Sequence, residues 1–206
     1  MSRLRIDPRA SEFTIVFLGQ FNPAIFSPAW FGWHELLPAA TVEAAELQAA
    51  QPRVMSFRAE WLELLVTPDR FMVQTTQSPS VRIKDLVLRT FVEQLPHTPI
   101  QAMGINRNVQ FLVGDFKERD RIGRRLAPTE PWGEWGSELD PDGSRGGMAS
   151  LTMRQVNIPD RPRGDQINVT VGPWDEVPDG RGVTVQANDH HTHIMIPMAR
   201  LPHGSS

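Results

Sequence analysis

The stretch VMSFRAEWLELLVTPDRFMVQTT, residues 54–76, decides the fold. Val54 to Phe57, Trp61 to Thr67 and Phe71 to Thr76 are apolar and β-branched enough to read as three successive strands. Pro68 and Asp69 supply turn chemistry between the last two. Connections this short predict a meander of antiparallel strands. The next segment must cover that sheet: over Ser80 to Leu95, Ile83, Leu86, Val87, Phe91 and Leu95 recur at helical spacing, and Pro96 marks the exit.

Upstream, Glu12 to Gly19 has the composition of a buried strand. Ser27 and Pro28 offer a helix N-cap and first turn for a short aromatic helix carrying Trp30, Trp33 and Leu37. Thr41 to Ala50, rich in Ala, Glu and Gln, reads as a second helix stopped by Pro52. Downstream, Met103, Ile105, Val109, Phe111 and Val113 mark the two-residue period of a half-buried strand that Arg107 interrupts. Asp115 and Glu118 fit a capping box opening a polar helix to about Leu126. Residues 127–147 form a long loop rich in Pro, Gly and Trp; strands follow over Ser150 to Val156, Gln166 to Val171 and Gly182 to His193.

This order predicts an α+β fold, one compact unit over residues 1–206. Its antiparallel sheet would consist of two pseudo-repeats of strand, helix, three strands and helix, with helices on one face. The halves would span about 11–96 and 98–196, the second lacking its closing helix, a layout shared with saddle-shaped tandem folds. The alternative is a single helix-grip fold, a sheet curled round one long helix.

A chain of 206 residues buries a substantial core without staples, and the absence of cysteine removes disulfides, thiolate zinc sites and cysteine nucleophiles. Residues 1–10 lack the apolar core of a signal peptide, and no apolar run approaches the ~18 to 20 residues of a membrane helix. A cytoplasmic protein that does not span a membrane is expected. The net charge of −3 gives no general attraction to phosphate backbones, so nucleic acid is not an expected partner. Basic residues concentrate between Lys117 and Arg125, but interspersed acids make this a solvated helix face.

The phrases FNPAIF (21–26), EWL (60–62), VTPDRF (66–71) and GINRN (104–108), with Asn188-Asp189-His190, resemble a family of uncharacterised bacterial proteins of actinobacterial type. The resemblance implies a bacterial source. It implies no activity, so no site residues are carried over.

Three features bear on function. On a continuing last strand, Asp189, His191 and His193 share one face at steps of about 6.6 Å and would ligate a divalent transition metal such as zinc with one position open. The plainer account is a polar strand end at the sheet rim. Trp132 and Trp135, beside Glu134 and Glu138 in the long loop, suit a docking surface. Arg107 would contact an anion, or mark a bend or edge of its strand. Signatures of phosphate-binding loops, dinucleotide sites, nucleophile elbows and helical zinc proteases are missing from the sequence.

The leading expectation is therefore a non-enzymatic protein-binding or assembly module of a bacterial multi-protein system, partnered or homo-oligomeric and without a cofactor. The alternatives are a metal-dependent hydrolase using Asp189, His191 and His193, and small-molecule binding between the sheet and the Ser80 to Leu95 helix.

Overall fold

The computed structural model describes residues 7–139 and 146–192. Along the chain lie β1 (Ala10–Gly19), α1 (Pro28–Trp33), α2 (Ala39–Glu43), β2 (Glu46–Gln51), β3 (Val54–Ala59), β4 (Leu62–Thr67), β5 (Arg70–Thr75) and α3 (Val81–Leu88). There follow β6 (Ile100–Leu112), α4 (Phe116–Leu126), α5 (Gly133–Glu138), β7 (Leu151–Val156), β8 (Gln166–Pro173) and β9 (Gly182–His191). The fold is α+β, on one nine-stranded antiparallel sheet of order β2-β3-β4-β5-β1-β6-β9-β8-β7. Among the described residues no helix is long and apolar enough to cross a membrane.

The described residues divide into two compact units, the first comprising 13–105, 157–165 and 190–192, the second 7–12, 106–139, 146–156 and 166–189. In the first unit the two-residue period of the strands sends every second side chain to one face. Strand register then aligns those side chains in rows, Met55, Val66, Phe71 and Phe17 in one, and Phe57, Leu64, Val73 and Ile15 in the next. All eight are buried. The β4–β5 turn is closed by the Thr67 hydroxyl, which donates to Asp69 Oδ1 at 2.6 Å and holds the Asp69 carboxyl below its ordinary pKa.

Helix α3 buries Ile83, Leu86 and Val87 in this core, and the chain continues into a widened π-helical turn, Arg89–Gln94, that delivers Phe91. The buried Thr90 hydroxyl donates to the Leu86 carbonyl at 2.7 Å and competes for the acceptor of a regular turn, while Leu95 N–H closes the wider ring onto Thr90 O. Phe91 meets Phe71 edge to face at 4.9 Å and Phe17 at 5.0 Å, arrangements worth about 0.5–1.5 kcal/mol per pair beyond burial. Helix α1 opens as its sequence predicts: the Ser27 side chain accepts from Trp30 N–H and Pro28 occupies the first turn.

The Thr41 to Ala50 segment departs from expectation. Its helix ends at Glu43, and Glu46–Gln51 is instead an exposed strand paired to β3, with the Ser56 hydroxyl donating to Gln48 Oε1 at 3.1 Å. The helix preference of Ala, Glu and Gln amounts to only tenths of a kcal/mol per residue, and pairing with an open strand edge outweighs it. At the end of β1, a Cβ on Gly19 would lie 2.2 Å from the Pro99 carbonyl oxygen, so only glycine lets the two backbones pass.

The second unit is built differently. Its buried apolar side chains among the described residues are Val109, Val113 and Val183, and its β8 residues are nearly all half-exposed. Polar pairs link its strands: Thr152 with Thr170, Arg154 with Asn168, Thr184 with Asn108, and Asn188 with Asn106. Exposed hydrogen bonds contribute less net stability than buried apolar rows do.

Phe91→Ala should therefore cost about 3–5 kcal/mol in urea unfolding, because it empties the junction of helix and sheet. A loss below about 1 kcal/mol would contradict this packing.

Candidate functional site

Two places in the structure gather chemically distinctive side chains. The first, in the second unit, follows α4. Asp115 caps this helix by accepting from Glu118 N–H at 2.7 Å, as the sequence predicts, while Glu118 Oε2 reaches back to accept from Gly114 N–H at 2.8 Å, one residue before the N-cap that a capping box would engage. Two of its five basic residues are tied to acids on the same helix, Arg121 to Glu118 at 3.2 Å and Arg124 to Asp120 at 2.7 Å, as expected of a solvated face.

The predicted long loop then coils into a 3-10 turn, Glu130–Trp132, and α5. Gly136 allows α5 to fold back, since a Cβ there would lie 2.1 Å from the Thr129 carbonyl oxygen. The compact turn brings Trp132 and Trp135 together with ring centroids 5.5 Å apart, 63% and 57% exposed. Glu130, Glu134 and Glu138, at four-residue steps, are also exposed. Residues 140–145, the later part of the loop, lie outside the described residues.

Other tryptophans serve different ends. Trp61 is buried, and Trp30 packs against Phe26 and Phe31 with the His34 ring 4.6 Å away, so His34 stacks on an aromatic ring. Trp174 donates its indole N–H to Glu176 at 3.2 Å. Arg107 is exposed on β6, which removes the need for the charge partner that burial would have imposed.

The second place, in the first unit, is around Asp165. This carboxylate is only 3% exposed, and accepts from the Thr192 backbone N–H at 3.0 Å and the Thr192 hydroxyl at 3.3 Å. Its other oxygen lies 2.9 Å from His191 Nδ1. The hydrogen bond from the Thr192 backbone, ahead of the His191 contact, holds the Asp165 carboxyl below the ordinary carboxylate range against the opposing effect of burial.

This geometry bears on the histidine cluster. His191 is engaged at Nδ1 by Asp165, a residue 26 positions earlier that sequence spacing gave no reason to select. Asp189 belongs to the other unit, and His193 lies outside the described residues. Among the described residues no group of three His, Asp or Glu side chains is arranged to hold a metal. A carboxylate on one ring nitrogen fixes a histidine's orientation, an arrangement that serves as well to lock a strand end as to prepare a ligand.

No protein-family model matches the sequence, and comparison with curated proteins returns no match.

The Asp165 contacts predict a pH dependence. A carboxyl whose folded pKa is depressed contributes stability above its unfolded pKa of about 4 and loses it as pH falls through the lower folded value. The stability gap between the wild-type chain and Asp165→Asn, from urea unfolding, should therefore be larger at about pH 7 than at about pH 3. A gap independent of pH would show that the charge of Asp165 is not stabilising.

Proposed function

We propose that this chain is a non-enzymatic protein-binding module of a bacterial multi-protein assembly, and that Trp132 and Trp135 hold a basic segment of its partner. The exposed tryptophan pair carries this reading. Exposing two large apolar rings has a cost in the free protein, and tryptophan is the side chain most enriched at the energetic centres of interfaces.

The surrounding charge selects the kind of partner. Glu130, Glu134 and Glu138 provide carboxylates of one sign next to two π-faces, a combination that attracts guanidinium and ammonium groups by charge and by cation–π contact. Each cation–π contact is worth about 0.5–2 kcal/mol. The exposed β7 and half-exposed β8 support the same reading, since β7 ends the sheet and presents Met153 and Val156 to solvent. A second copy of the chain in place of a different protein is an outcome the oligomeric state would reveal.

The test is fluorescence anisotropy with a labelled nona-arginine peptide. Binding should saturate and weaken with salt, and Trp132→Ala with Trp135→Ala should reduce affinity about tenfold or more without changing the melting temperature. Undiminished affinity in that double variant, or in Glu134→Gln with Glu138→Gln, would overturn the assignment.

A further inference from the structure

The first unit contains an open cleft of about 730 Å³ between the α1–α2 segment and α3. It is separate from the sheet–helix interface, which Ile83, Val87 and Phe91 fill. The volume falls in the range of small-molecule sites. Leu36, Leu37, Val42 and Leu86 give the cleft an apolar lining, and Trp61 belongs to its wall. Along α3 and into the π-helical turn, Arg82, Asp85, Leu86 and Arg89 follow the i, i+3, i+4, i+7 pattern, so one stripe of this helical segment faces the cleft.

The polar groups here are unequally satisfied. Arg89 donates to the Glu35 carbonyl at 3.1 Å and lies 3.6 Å from Glu93, so it is committed to tying α3 to the α1–α2 segment. Glu35 itself holds a left-handed backbone at φ 54° that non-glycine residues seldom adopt. Arg82 is exposed and has no ion pair among the described residues; its guanidinium lies 4.2 Å over the Trp61 ring. Trp61 is only 6% exposed, and its indole Nε1–H is buried without an acceptor among the described residues. An unmet buried donor costs about 1–3 kcal/mol. The Arg82 cation thus lies at the cleft over a ring whose N–H is unmet, and a carboxylate drawn to Arg82 would bring an acceptor close to that ring. The acids of the rim, Glu35, Glu43 and Asp85, are exposed and solvated.

We infer that this cleft binds a small amphipathic carboxylate, with its apolar body on Leu36, Leu37 and Leu86 and its carboxylate at Arg82 beside Trp61. Arg82 moves off the indole face to meet the anion, a change open to it because its side chain is exposed while the ring beneath is fixed in the core. The inference is independent of the tryptophan platform in the other unit.

The experiment follows the indole N–H resonance of Trp61, assigned through Trp61→Phe, while octanoate is added to the intact protein. The Trp61 signal should shift saturably at concentrations below about 1 mM. Arg82→Gln, a surface change that leaves the core intact, should weaken binding about fivefold to tenfold. The neutral isostere 1-octanol should bind at least about tenfold more weakly than octanoate. No saturable shift by about 5 mM, equal binding of octanol, or unchanged affinity in Arg82→Gln would each overturn the assignment.

Discussion

The structure depends on one junction, where Phe91 from the widened end of the α3 segment meets Phe17 and Phe71 on adjacent strands. Phe71 lies directly opposite Phe17 across the β1–β5 ladder, so the two rings form one platform for a third. Phe21 and Phe26 extend the cluster towards α1. The constraint reaches back to local chemistry. The Thr90 hydroxyl takes up the Leu86 carbonyl where the turn widens, and this turn sets where Phe91 points.

Such a core concentrates the apolar burial of the described residues in the first unit. Apolar burial supplies roughly 25 cal/mol per Å², and among its described residues the second unit has few buried apolar side chains from which to draw it. What it has is surface: exposed tryptophans beside carboxylates and strands held through polar pairs. A protein that concentrates its cohesion in one part can expose apolar groups in another without unfolding. That division of labour is the physical basis of the proposed binding role.

Much of the fold was legible in the sequence because its signals were local. The period of residues 54–76, the Pro68-Asp69 turn, the Ser27 cap and the Asp115 capping box each specify structure from a few neighbouring residues. Strand β2 was not legible, because its Ala, Glu and Gln favour a helix and only the edge of β3 makes it a strand. Trp132 and Trp135 stood out by composition, but their contact depends on how Gly136 lets the chain turn back. Asp165 could not be found at all from spacing: it is one of two acids in and after a Pro- and Gly-rich connection, and its importance comes from His191 and Thr192, brought to it by the fold.

Native-state hydrogen exchange of the free chain tests whether cohesion resides in the aromatic core of one unit while the other is held more loosely. Amides of Leu62–Thr67 and Arg70–Thr75 should exchange only through global unfolding, while those of Leu151–Val156 should exchange through local opening at far lower free energy. Equal protection of the two sets would contradict it, and would mean that the chain opens as one cooperative unit.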